Sequence, residues 1–126
     1  MSARIFIVED EALIAEDLRR RLIELGYDVA GTAGSALEAL TLMQANRPDL
    51  VLMDIVLRGR ADGIAVADTI RAQWNIPVVY LTAYTNEETL ARAQATNPLG
   101  ILRKPFDTHM LRQAIERALS SLPVPP

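Results

Sequence analysis

Cysteine is absent from this chain of 126 residues. That excludes a disulfide framework and a thiolate metal centre, and it fits a cytoplasmic protein. No apolar run approaches the roughly 20 residues that span a bilayer. The opening stretch MSARIFIVED meets an acid pair after a few apolar residues, so it is not expected to act as a signal peptide. Charge of one sign is not in excess: the net charge is −3, which leaves no electrostatic footprint for nucleic acid or an anionic membrane. There is no glycosylation sequon, repeat or low-complexity segment. What remains is ordinary globular composition, 50% hydrophobic and 23% charged, enough for one domain with a sizeable core.

Short apolar runs alternate with helical patterns. Strands are expected at 4–9, 27–32, 48–55, 76–83 and 100–104. Helices are expected at 12–26, from Ser35 as cap through 36–45, at 63–74, at 86–96 and at 107–122. Their inward faces are assigned to Leu13, Ile14, Leu18, Leu22 and Leu25; to Leu37, Leu40 and Met43; to Ile64, Val66, Ala67, Ile70 and Trp74; and to Met110, Leu111, Ala114, Ile115 and Ala118. Gly26 reads as a stop signal, and Asn86 and Asp107 as caps. Residues 1–122 form the expected domain, and the Pro-rich 123–126 a tail or the start of a linker. Five strands alternating with five helices predict a doubly wound parallel sheet of order 2-1-3-4-5, a flavodoxin-like three-layer sandwich.

Asp54 stands inside the apolar run DLVLMDIVL, where an unpaired carboxylate costs several kcal/mol. Either it caps a turn or a site is built around it. Doubly wound sheets bind ligands at the carboxyl ends of their strands. Glu9 and Asp10 end the first strand, Asp54 the third, Thr82 the fourth and Lys104 the fifth. The predicted strand order brings the three carboxylates together. Two charges about 4 Å apart repel by about 4 kcal/mol at an effective dielectric of about 20, so the cluster needs cations. Lys104 supplies one, and a hard divalent ion such as Mg²⁺ (or Mn²⁺) suits the oxygen donors. Carboxylate, hydroxyl, ammonium and metal in one place make a phosphoryl-transfer site with the carboxylate as nucleophile.

Glu9-Asp10, Asp54, Thr82 in LTA and Lys104 in KPF, each at a strand end and in this order, resemble the receiver domain of two-component response regulators. The resemblance runs from about residue 3 to 121. It implies that Asp54 accepts a phosphoryl group from a histidine kinase or a histidine phosphotransfer protein. Glu9, Asp10, Asp54 and the backbone carbonyl of Val56 would hold the metal. Lys104 would pair with Asp54 and then with the phosphoryl oxygens. Thr82 would bond the phosphoryl group and carry the following loop with it, and Ala83 would leave room for phosphate. The Lys104–Pro105 bond would be cis. A homodimer or partner would use the face made by the fourth helix, fifth strand and fifth helix, by analogy only. An output domain would lie outside these residues, and no external substrate would be turned over.

The chain departs from the family pattern in two places. Arg58 stands where many receivers have proline, in a loop one residue longer than usual, and Ile101 replaces the usual aromatic switch residue. Tyr84 is then expected to take over part of the signalling or to shield the phosphoryl group. Neither Val56 nor Tyr84 carries an acid or amide to orient water, which predicts slow loss of the phosphoryl group.

The competing readings are weaker. Enzymes of the haloacid-dehalogenase type need a second acid two residues after the nucleophile, where this chain has Val56. A receiver-like module that no longer takes phosphate would not need the complete residue set. Asp10 can also serve as a helix cap. His109 reads as a surface residue, and GTAGSALEAL lacks the ending of a phosphate-binding loop.

Overall fold

The computed structural model describes residues 2–57, 62–83 and 86–121. Five strands, β1 (Arg4–Val8), β2 (Asp28–Ala33), β3 (Leu50–Asp54), β4 (Val78–Thr82) and β5 (Gly100–Arg103), alternate with five helices. These are α1 (Ala12–Glu24), α2 (Ala36–Ala45), α3 (Asp62–Trp74), α4 (Glu87–Gln94) and α5 (Thr108–Ser120). All strand pairs are parallel and the order is β2-β1-β3-β4-β5. The strand order is the one expected from the alternation of elements.

Every residue of β3 and β4 is buried, as a strand covered on both faces requires. Side chains alternate between the two faces. Phe6, Val8, Val51, Met53, Val78 and Tyr80 point to one side and meet Ala39, Met43, Val66, Ala67, Ile70 and Ala93. Ile5, Ile7, Leu50, Leu52, Val79 and Leu81 point to the other and meet Leu18, Leu22, Leu111, Ile115 and Ala118. Each fully buried aliphatic side chain contributes about 1.5–3 kcal/mol relative to exposure.

The helix starts follow their caps. Ser35 Oγ accepts from Glu38 N at 3.2 Å while Glu38 reaches back to Gly34 N at 3.1 Å. Asn86 accepts from Thr89 N at 3.1 Å and Asp107 from Met110 N at 2.8 Å. In α1 the N-cap position is Glu11, which makes no side-chain cap bond.

Three assigned core positions are corrected. Leu13 is 87% and Leu37 77% exposed, and Met110 is 41% exposed. In α1 the inward stripe is Ile14, Leu18 and Leu22, which leaves Leu13 about 100° away from Ile14 around the helix. In α2 the inward residues are Ala39 and Met43, and Leu37 lies about 200° from Ala39. Spacing alone admitted these leucines because consecutive apolar residues blur the stripe. In α5 Leu111, Ile115 and Ala118 hold the inward line, and Met110 lies beside it.

Candidate functional site: an acidic cluster bridged by Lys104

Backbone bonds continue the sheet just past its strand ends and set the carriers of the site. Glu9 N donates to Ala33 O at 2.9 Å, Ile55 N to Leu81 O at 3.1 Å, and Lys104 N to Thr82 O at 2.8 Å. Order β2-β1-β3 makes β1 and β3 neighbours where the connections diverge to opposite faces, and the acids of both strands meet there. Glu9, Asp10 and Asp54 each offer a carboxylate oxygen, and these oxygens all lie within 4.8 Å of one another.

Lys104 reaches this cluster from β5. Its Nζ donates to Asp54 Oδ2 at 3.0 Å and to Glu9 Oε2 at 3.2 Å. Both acids are buried, Glu9 at 3% and Asp54 at 7% exposure. Asp54 Oδ1 accepts from Val56 N at 3.0 Å, and Glu9 Oε1 from Glu11 N at 3.1 Å. Asp54 therefore both accepts a turn-capping bond and sits in the acidic cluster. Among the described residues no buried side-chain polar atom lacks a partner.

The charges show in the titration of the cluster. Burial, then the hydrogen bond and negative charge of Asp54, push the Glu9 carboxyl up to about 7, against the smaller pull of Glu11 N–H and Lys104. Burial alone would lower the Lys104 ammonium. The hydrogen bond and charge of Asp54, with those of Glu9, outweigh it and raise the group above its ordinary value. One ammonium does not neutralise the cluster, and the Glu9 carboxyl is held well above the ordinary carboxylate range. Three hard oxygen donors short of positive charge fit a divalent cation, and Glu9, Asp10 and Asp54 are the side chains that can hold it.

Thr82 is buried at the end of β4, and the exposed Ala83 follows it. The Lys104–Pro105 peptide is cis. Ile101 is half-buried on β5 and lies opposite Tyr80 in the sheet register. Val56 is partly buried. Tyr84, Arg58 with its loop, and the 123–126 tail lie outside the described residues.

One contributor was missed in the sequence. Gly63 N donates to Ile55 O at 3.1 Å, and a Cβ on Gly63 would stand 2.0 Å from the backbone oxygen of Asp54. No other residue allows α3 to start so close behind the acid. The signal was a glycine at the start of an amphipathic helix, where it is costly unless backbone approaches backbone.

Comparison with known proteins agrees with this geometry. The family model of the response regulator receiver domain matches residues 5–116. The transcriptional regulatory protein PdtaR of Mycobacterium tuberculosis is 42% identical over 117 residues, 93% of this chain and 57% of that protein. The phyllosphere-induced regulator PhyR of Methylorubrum extorquens is 32% identical over 120 residues, 94% of this chain and 44% of its own length. The chain thus spans about half the length of these relatives. The signal receiver domain of a modulated diguanylate cyclase from Desulfovibrio desulfuricans superposes with a TM-score of 0.88 at 38% identity, covering 95% of both chains.

Proposed function

Since the chain belongs to the response regulator receiver family, we propose that it is a phosphorylation-driven switch in which Asp54 is the phosphoacceptor. The observation that carries this reading is the Lys104 ammonium lying between Asp54 and Glu9, 3.0 and 3.2 Å away, inside a three-carboxylate cluster.

An Asp54 carboxylate oxygen forms a bond to phosphorus as the bond from phosphorus to the donor's nitrogen or oxygen breaks. The leaving atom keeps the electron pair. Bound Mg²⁺ (or Mn²⁺), held by Glu9, Asp10, Asp54 and the Val56 carbonyl, would neutralise phosphoryl oxygens during that exchange. Lys104 is already oriented by two carboxylates, so it meets the incoming negative charge with little reorganisation. The Val56 N–H and the rigid end of β3 hold the Asp54 carboxylate in place. Thr82 supplies a hydroxyl from the neighbouring strand, and the small Ala83 leaves the approach open. Pro105 and Ile101 shape β5 and its exit around Lys104.

The donor in this reading is a histidine kinase or a histidine phosphotransfer protein, and the chain turns over no external substrate. The response passes through Thr82, the following loop with Tyr84, and the face made by α4, β5 and α5. That face is also the proposed site of homodimerisation. The length of the relatives supports a covalently linked output region, and the setting is cytoplasmic. The domain itself is not expected to bind nucleic acid.

The test is incubation with Mg²⁺ and acetyl phosphate followed by intact mass, with Asp54→Ala beside it. One added phosphoryl group, lost without Mg²⁺ and absent from the variant, is the expected result. An equal adduct on Asp54→Ala would overturn the assignment.

A further inference from the structure

Tyr80 is the largest fully buried side chain in the described core, and its phenol does not end in an apolar wall. Its Oη lies 2.7 Å from Thr96 Oγ1, and Thr96 Oγ1 donates to Ala93 O at 2.7 Å. A threonine hydroxyl has one proton, so with that proton on Ala93 O the Tyr80 O–H must be the donor. The result is a directed chain, Tyr80 O–H to Thr96 O–H to Ala93 C=O. It runs from the middle of β4 to the last turn of α4. Burial raises the phenol above its ordinary range, which keeps the proton in place at physiological pH.

Among the described residues the rest of α4 has little to hold it. Its one fully buried residue is Ala93, beside half-buried Thr89 and Leu90. Two further ties at its far end are polar: the Tyr80 chain, and Arg71 Nη1 donating to Asn97 O at 2.8 Å. The other end of α4 follows the segment that begins at Thr82. Tyr80 and Thr82 are two apart on one strand and so face the same side of the sheet.

We propose that the Tyr80 hydroxyl is a latch that pins the C-terminal end of α4 to the sheet and makes it the pivot about which the N-terminal end of α4 moves. The motion itself rests on the phosphorylation reading above, but the latch does not. Tyr80 lies opposite Ile101 of β5 in the sheet register.

The test is residue-resolved amide exchange at Ala95, Thr96 and Asn97, whose N–H groups bond Ala91, Ala93 and Gln94. In the resting protein Tyr80→Phe, which keeps the ring, is expected to speed these three amides by about fivefold to tenfold. Thr96→Val should do at least as much, because it strands the phenol. The double variant should be no worse than Thr96→Val alone. Unchanged exchange in both single variants, or additive effects in the double, would overturn the latch. After phosphorylation with acetyl phosphate, the Leu90 amide should change in the wild type while the three reporters hold; in Tyr80→Phe the change should spread to them. Wild-type reporters that move as much as Leu90 would overturn the pivot. If no phosphoryl adduct forms, the phosphorylation reading fails, and the resting-state comparison still decides the latch.

Discussion

Helices α4 and α5 flank the same edge strand, yet they are held in opposite ways. α5 runs for 13 residues and buries Leu111, Ile115 and Ala118 behind an Asp107 cap. α4 runs for 8 residues and buries Ala93 alone. One is held by apolar area, which is non-directional and hard to release. The other is held at its end by a few hydrogen bonds, each with a net value of about 1 kcal/mol. A segment that must move in response to a single phosphoryl group has to come from the loosely held class, since local opening costs least where few apolar contacts are lost. On the proposed phosphorylation reading, α5 is the wall and α4 the lever.

The largest expected effect tests the wall. Ile115→Ala should lower unfolding stability by about 2–5 kcal/mol in urea titration. Leu90→Ala on α4 should cost only about 1 kcal/mol, as its side chain is half-buried. Equal losses would erase the contrast.

Next in size is Gly63→Ala, which places a methyl group against the Asp54 carbonyl. It should cost about 1–3 kcal/mol by crowding. It should also weaken Mg²⁺-dependent phosphorylation, because the clash falls on the strand end that carries the acceptor.

The pH dependence follows from Glu9. Its folded value, about 7, lies above the ordinary 4.5, so between those values the folded state keeps a proton that the unfolded state has released. Stability of the metal-free protein in EDTA should therefore fall as pH rises from about 4.5 to about 7 and then level off. Adding Mg²⁺ at pH 8 should recover the loss, while at pH 5 the proton competes and the gain is smaller. Urea midpoints at these pH values, with and without Mg²⁺, check the sign.

The smallest effects concern the caps and the phosphoryl lifetime. Asp107→Ala should cost about 1 kcal/mol of global stability. Asn86→Ala should appear mainly as faster exchange at Thr89 and Leu90. Val56→Asn places an amide beside the site and should shorten the adduct lifetime by about tenfold, equivalent to about 1.4 kcal/mol in the barrier. An unchanged decay would show that no water-orienting group is missing at that position.

Much of this architecture was legible in the residues. Continuous runs such as LVLM and the alternation of elements carried the sheet order, and polar residues at strand ends carried the cluster. Leu13 and Leu37 were misplaced because helical spacing does not separate neighbouring apolar positions until the packing partner is known. Gly63 carried only the signal of a glycine at a helix start, since the need for it comes from the close approach of α3 to Asp54. The Tyr80–Thr96 pair lies 16 positions apart and becomes visible only when β4 and the end of α4 are laid side by side.

Three carboxylates share the site, and the central assignment is that Asp54 is the one that takes the phosphoryl group. Borohydride reduction of the phosphorylated protein converts the acyl phosphate to an alcohol, and peptide sequencing by mass then locates it. Homoserine at position 54, with Glu9 and Asp10 intact, is the expected result. Reduction at Glu9 or Asp10, with Asp54 unchanged, would contradict it.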